Sequence, residues 1–262
     1  MSSIRTRPVA LTIAGSDSGG GAGIQADVKT FTALGVHGTT VVAAVTAQNP
    51  REVLGVFPLS PQAVLMQLEA VFRQLPPKAA KTGMLYSADI IRTVADFFRA
   101  HCKRIPLVVD PVMLSTSNAQ LLVGDAVEAL TEELFPLAKL ITPNVNEASR
   151  LLNQTIGSVR ELKEAACELY FKFRTAVLLK GGHLPGVTVT DVLFDGVRMV
   201  MLKGTRINVD GTHGTGCTLS AAITAYLAQG LELLEAVRLG RRYLRFALKR
   251  GYSTEGHFCL GS

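Results

Sequence analysis

Val9-Ala-Leu-Thr-Ile-Ala-Gly-Ser-Asp-Ser-Gly-Gly-Gly-Ala-Gly-Ile-Gln-Ala-Asp-Val-Lys-Thr-Phe-Thr-Ala-Leu-Gly35 is the stretch whose reading decides the fold. Val9 to Ala14 is an apolar run of strand length. Gly15, Gly19, Gly20, Gly21 and Gly23 make a turn, and Ile24 to Leu34 then has the spacing of an amphipathic helix stopped by Gly35. The opening unit is therefore strand, loop, helix. Further short apolar runs at Thr39 to Thr46, Ala79 to Thr82, Leu107 to Val109, Leu140 to Thr142 and Ala176 to Leu179 read as strands, with helical patterns between most of them. Such alternation predicts an α/β fold whose mostly parallel sheet is covered by helices on both faces.

Punctuation sharpens this outline. Ser60-Pro61 and Ser87 read as helix starts, and Ser158-x-x-Glu161 as a capping box. Asp195-Gly196, between Val192 to Phe194 and Arg198 to Leu202, is a two-residue hairpin signal that adds an antiparallel piece. Thr215 to Lys249 is helical with a break near Gly230. With no internal repeat or linker, residues 1–262 read as a single domain.

Composition excludes several classes of function. Hydrophobic residues make up 48% and charged residues 18%, too apolar for a disordered chain. The net charge is +6, but the 27 Lys and Arg are scattered, and their densest cluster, Arg238-Leu-Gly-Arg-Arg-Tyr-Leu-Arg245, has the spacing of a solvated helix face with no aromatic but Tyr243 among the arginines. No nucleic-acid partner is expected. No window approaches about 18 uninterrupted apolar residues, so no membrane partner is expected either. Ahead of Val9 stand Arg5 and Arg7 but no leader-like cleavage site, and Cys102, Cys167, Cys217 and Cys259 lack metal or disulfide spacing. A reducing, cytoplasmic location is the expectation.

Three groups of residues can carry chemistry. In Thr212-His-Gly-Thr-Gly-Cys-Thr-Leu-Ser-Ala-Ala222 a glycine turn runs into a helix, so the N–H groups of Gly214, Thr215 and Gly216 would face a phosphate. Cys217, in the first helical turn, is expected to have a lowered thiol pKa; the alternative is a buried structural cysteine. The loop after the first strand lets a ligand approach the backbone, with Asp17 and Asp27 as acceptors. It is not a dinucleotide fingerprint, because Asp27 follows Gly23 too closely for a ribose-binding acid, which comes about 20 residues on. Lastly, Asp110, Asn144 with Glu147, and Lys180 with His183 follow strands, where ligands gather in open α/β sheets. Asn144 and Glu147 could offer oxygen to a hard cation, or Asn144 could simply cap a helix.

Taken in order, Ala10 to Asp27, Ala47-Gln48-Asn49, Lys81-Thr-Gly-Met84, Asp110-Pro-Val-Met113, Thr142-Pro-Asn-Val-Asn-Glu147, Lys180-Gly-Gly-His183 and the Cys217 segment resemble the hydroxymethylpyrimidine/phosphomethylpyrimidine kinases of thiamine synthesis, a branch of the ribokinase-like superfamily. The resemblance covers almost the whole chain. It implies a ribokinase-like three-layer α/β/α fold, ATP as donor, Mg²⁺ as counter-charge, and phosphorylation of 4-amino-5-hydroxymethyl-2-methylpyrimidine and then of its monophosphate. Gly15, Asp27, Gln48, Met84 and Val112 would meet this small-molecule substrate. Gly214, Thr215 and Gly216 would form the anion hole beside Cys217, the implied base. Asp110, Asn144, Lys180 and His183 would meet ATP and its phosphates, and Glu147 with Asp110 the metal. The expected assembly is a homodimer.

Two segments depart from the family pattern. Ser115-Thr-Ser-Asn118 stands where a Lys-Ser-Gly turn is usual, and Glu255-Gly-His-Phe258 stands for the glycine-rich tail. The alternative activities are that of a pyridoxal kinase, against which the amide of Gln48 is the discriminating feature because it complements an aminopyrimidine edge, and non-catalytic ligand binding on the same fold.

Overall fold

A computed structural model of the chain describes residues 6–102, 104–113 and 121–261. Met1 to Arg5 and the Ser115 to Asn118 departure lie outside the described residues. The first half of the fold comprises β1 (Val9–Asp17), α1 (Gly23–Ala33), β2 (His37–Gln48), β3 (Val53–Pro58), α2 (Pro61–Gln74), β4 (Ala79–Thr82), α3 (Ala88–His101) and β5 (Leu107–Val109). A short helix α4 (Ala126–Ala129) loosens into a π turn before β6 (Leu140–Ile141), α5 (Val145–Leu152), α6 (Val159–Phe173) and β7 (Val177–Leu179). The chain ends with β8 (Thr188–Phe194), β9 (Met199–Thr205), α7 (Thr215–Ala228), α8 (Leu233–Lys249) and a small hairpin of β10 (Tyr252–Thr254) and β11 (His257–Cys259).

Nine strands form one sheet in the order β3-β2-β1-β4-β5-β6-β7-β8-β9. From β2 to β7 every pairing is parallel, and each edge is finished by antiparallel strands, β3 on one side and the β8–β9 hairpin on the other. The mostly parallel sheet is thus as expected. The hairpin turn at Asp195-Gly196 is also present: Asp195 N–H donates to the Arg198 carbonyl, and Gly196 takes φ +92° at the first central position, as a type II′ turn requires. β3 and the β10–β11 pair are additions that the apolar pattern does not mark.

Side chains alternate across the strands, which divides the core in two. Leu11 and Ile13 of β1, Ala80 of β4, and Leu107 and Val109 of β5 face the layer of α2 to α6. Ala10, Ala79 and Val108 face the layer of α1, α7 and α8. The alternation has one charged consequence. Lys81, next to Ala80, faces the α1 and α7 side and is fully buried there.

Helix starts follow the sequence with small changes. Ser60 caps α2 by accepting the Ala63 N–H, and Ser87 precedes α3 without a side-chain cap bond. Ser158 accepts the Glu161 N–H, but the Glu161 carboxylate takes the Gly157 N–H, so the expected capping box is closed one residue early. The complete box is at α5, where Asn144 and Glu147 cap each other's backbone. On the other layer α8 crosses α7 at Gly240, where an added Cβ would sit 2.7 Å from Ile223 Cγ1 and 3.2 Å from the Ile223 nitrogen. Gly240→Val is therefore expected to lower unfolding stability by about 1–3 kcal/mol through overpacking, read from denaturant titration.

Candidate active site

The carboxyl ends of β1, β4, β5, β6 and β7 converge on the N-terminus of α7, and two cavities open there. One, of about 320 Å³, lies between the loop after β1 and the start of α7. The other, of about 250 Å³, lies between the β8–β9 hairpin and α8. They share Asn144, Lys180, His183, Thr212, Thr215 and Gly216.

The turn that divides them is shaped by backbone packing. Gly214 is the N-cap of α7 with φ +79°, a conformation that disfavours a side chain, and a Cβ there would fall on the Gly21 carbonyl oxygen. The glycine loop after β1 and the turn before α7 thus interlock main chain to main chain. Asp17 holds the first of them: Oδ1 accepts the Gly19 N–H at 2.8 Å, while Oδ2 accepts Gly21 N–H at 3.1 Å and Ala22 N–H at 2.8 Å. The same Oδ2 lies 3.1 Å from His213 Nε2, which ties the two loops together. Burial works against the Asp17 charge, but His213 and the backbone N–H groups outweigh it and hold the carboxyl below its ordinary value.

Beneath the larger cavity runs a chain of buried charges. Lys81 Nζ is 2.7 Å from Asp27 Oδ1 with both side chains at 0% exposure, and Thr12 donates to Asp27 Oδ2 at 2.6 Å. Burial alone would lower the Lys81 pKa, yet Asp27 overrides it and holds the ammonium above its ordinary value. Burial pushes Asp27 up against the pull of Lys81 and Thr12; the close ammonium and hydroxyl contacts fit a carboxylate, so we take the pair as ionised. Asp110 accepts from Lys180 Nζ at 3.0 Å and Thr142 Oγ1 at 3.1 Å on one oxygen and from Ser220 Oγ at 3.2 Å on the other. Burial opposes its ionisation, but Lys180 and Lys81 keep its pKa low.

Glu147 completes the group. Its Oε2 accepts the Asn144 N–H at 2.7 Å, while Asn144 Oδ1 accepts the Glu147 N–H at 3.0 Å. Burial, with repulsion from Asp110, raises Glu147 to about 7 despite Lys180. The far wall of the cavity is apolar, where Met84 and Leu121 pack with Ala44 and Val112. Gly15 lacks a side chain where the Met84 methyl crosses it, and the Thr46 hydroxyl lies between the Ser16 carbonyl at 3.0 Å and Gln48 Oε1 at 3.1 Å.

The family model described as "Phosphomethylpyrimidine kinase" matches residues 17–259. The chain belongs to the phosphomethylpyrimidine kinase family. It is 51% identical over 241 residues to a hydroxymethylpyrimidine/phosphomethylpyrimidine kinase of Rhizobium meliloti, a match covering 92% of this chain and 90% of the relative. The crystal structure of a phosphomethylpyrimidine kinase from Clostridium difficile superposes with a TM-score of 0.81 at 42% identity, covering 92% of this chain and all of that one. An ADP complex of Bacillus subtilis pyridoxal kinase gives a TM-score of 0.89 at 37% identity over 97% of both chains. These likenesses establish the ribokinase-like α/β fold of the family.

Within this family fold most of the expected site residues come together. Gly15, Gln48, Met84, Val112, Asp110, Asn144, Glu147, Lys180, His183, Gly214, Thr215, Gly216 and Cys217 all line the larger cavity. Asp27 does not. Its carboxylate is turned away into the contact with Lys81 and Thr12, and Asp17 is likewise engaged by backbone N–H groups instead of being open to a ligand. The expected fall in the Cys217 pKa is also not met. Burial, reinforced by Asp27 and Asp110, pushes the thiol up to about 11, and neither Lys81 nor the Gly23 N–H offsets it.

Lys81, His213 and Arg150 line the cavity without having been singled out from the sequence. For Lys81 a signal existed, because a charged residue inside the short buried strand Ala79–Thr82 needs a buried partner. Glu147 generates a test. Its folded pKa of about 7 lies above its ordinary 4.5, so its contribution to stability is complete below pH 4.5 and is lost as pH rises through about 7. Glu147→Gln, which can still accept the Asn144 N–H, is expected to flatten that loss in denaturant titrations run across this range without added metal; an unchanged slope would place the titration elsewhere.

Proposed function

We propose that the chain is an ATP-dependent kinase that phosphorylates the hydroxymethyl group of 4-amino-5-hydroxymethyl-2-methylpyrimidine and then the resulting monophosphate. The observation that carries this reading is the pair of cavities meeting at the Gly214 to Gly216 turn, with Lys180 on both sides of the junction. Phosphoryl transfer needs in-line placement and charge neutralisation more than covalent chemistry. The two chambers supply the placement, and the N-terminus of α7 between them favours negative charge, although the Thr215 N–H is itself given to the Thr212 carbonyl at 3.2 Å. The larger chamber takes the acceptor: Met84 and Val112 belong to one apolar wall against which a flat ring lies, while Gln48 hydrogen-bonds its aminopyrimidine edge. The smaller chamber takes the nucleotide, with Lys180 and His183 beside its phosphates.

The residues fit Mg²⁺. Among the described residues no three His, Cys, Asp or Glu side chains are grouped to hold a metal alone. Mg²⁺, however, is ordinarily held by one or two carboxylates together with substrate phosphates and water. Glu147 and Asp110 are two such carboxylates, close enough that Asp110 raises the Glu147 pKa. Mg²⁺ held there would neutralise charge on the transferring group. The chain works as one domain, and a second copy covers the edge strand β3, whose Leu54 and Phe57 are 72% and 63% exposed. Four free cysteines suit the cytoplasm.

A pyridoxal kinase is the second reading, favoured by the fold likeness to one. A panel of hydroxymethylpyrimidine, its monophosphate and pyridoxal, read by ATP consumption, decides between them; turnover of pyridoxal alone would overturn the first. Gln48→Leu is expected to weaken use of the aminopyrimidine by about 1–3 kcal/mol in kcat/KM and that of pyridoxal much less.

Cys217 is proposed as the base that takes the hydroxyl proton. With a thiol pKa of about 11 in the ligand-free protein the thiolate is scarce at neutral pH, so kcat/KM should climb as pH rises. Cys217→Ala is expected to lower kcat by about 10²- to 10⁴-fold and to remove that climb, while ADP affinity holds because the backbone N–H groups remain. An alanine variant with the parent's kcat and pH profile would make Cys217 structural.

A further inference from the structure

Between β7 and β8 the chain crosses from Gly181 to Val187 without regular structure, and it forms a wall of the smaller cavity through Gly182 and His183. One guanidinium grips this loop. Arg206, just beyond β9, donates Nε to the Gly186 carbonyl at 2.8 Å, Nη1 to the Gly182 carbonyl at 2.8 Å, and Nη2 to the Leu184 carbonyl. Its own backbone N–H donates to the Val187 carbonyl at 2.7 Å. The start of the loop is anchored separately. Asp191 Oδ1 accepts the Gly181 N–H at 2.8 Å, and its Oδ2 is 2.6 Å from Arg241 Nε. Gly181 has no room for a side chain, because a Cβ would strike the Thr190 carbonyl.

Three carbonyls at alternate positions thus converge on one planar fork. A loop of this length without such a grip would be free to turn carbonyl oxygens toward the cavity, where they would repel a polyphosphate. Turned onto Arg206, they are satisfied, and the wall keeps the positive character of Lys180 and Arg206. Desolvation of the ring, together with these two cations, lowers the pKa of His183, the loop residue on both cavities. A lysine could not replace the grip, since a single ammonium does not match a fork addressed to three separated acceptors.

We propose that Arg206 is a positioning residue for the donor nucleotide: by clamping the 182–186 carbonyls it sets the wall against which the nucleoside polyphosphate binds. This rests on the reading of the smaller cavity as the nucleotide chamber. The test is calorimetric binding of ADP to the full chain without acceptor, paired with steady-state kinetics, for Arg206→Met and Arg206→Lys. Both variants should bind ADP about 5- to 100-fold more weakly, because a released loop must be ordered when the nucleotide binds, and raise KM for ATP to match. KM for the hydroxymethylpyrimidine should stay within about twofold, and kcat at saturating ATP within about threefold. Retention of ADP affinity by Arg206→Lys would mean that charge alone suffices, and overturns the clamp. Equal increases in both KM values, or a loss of folded protein with ADP affinity per folded molecule intact, overturn it too by making Arg206 a general structural residue. A parent chain that binds no ADP overturns the nucleotide reading itself and the clamp with it.

Discussion

The buried pair of Lys81 and Asp27 is the constraint on which the site depends. Both side chains are out of water, so neither charge persists without the other; removing one partner of such a pair typically costs about 3–5 kcal/mol. The pairing therefore fixes α1 against β4 and leaves an ammonium in the wall of the larger cavity, near Cys217. A second pair, Lys180 with Asp110, lies across the floor; Thr142 donates to the same Asp110 oxygen as Lys180, and the Ser220 hydroxyl lies 3.2 Å from the other. Glu147 adds a further acid beside these pairs; burial, with repulsion from Asp110, holds its proton to about pH 7, and a divalent cation is a natural addition there.

Above that floor, the anion-binding geometry belongs to the backbone. Asp17 gathers the N–H groups of the first glycine loop, His213 bridges to the second, and Gly214 meets the Gly21 carbonyl with no space between. Loops so joined cannot shift independently. The turn at the start of α7 is consequently held in place, with the Thr215 N–H already given to the Thr212 carbonyl at 3.2 Å, so under the proposed reading a phosphate there costs little in ordering.

The fold was legible because its signals are local. Apolar runs such as Ala79 to Thr82 and Leu107 to Val109 coincide with β4 and β5, and glycine or serine punctuation sits at the helix ends. β3 was not, since Val53–Pro58 is a short edge strand with exposed Leu54 and Phe57 and a glycine in its middle, so burial imposes no clear alternation on it. At the site, the order of the motifs identified most of the lining, but the direction of a side chain was out of reach. Whether Asp27 faces a ligand or a lysine is decided by a residue 54 positions away. The second chamber was harder still, because Asp191, Arg206 and Arg241 belong to different elements and form no motif.

Cys217 shows the same limit in energetic form. A helix N-terminus stabilises an anion by up to about 2 kcal/mol in favourable geometry, which argues for a thiolate when the sequence is read locally. Desolvation and two carboxylates brought in from β5 and α1 exceed that, and the thiol stands at about 11. At pH 7 the thiolate is then about four units from its pKa, a cost of about 5 kcal/mol. A positioned base contributes about 10²- to 10⁴-fold, or roughly 3–5 kcal/mol. The two nearly cancel, so a base that had to ionise beforehand would gain the enzyme almost nothing. A base role for Cys217 therefore requires its pKa to fall when the substrates are in place, with Lys81, the strongest influence favouring the thiolate, as the residue through which that change would act.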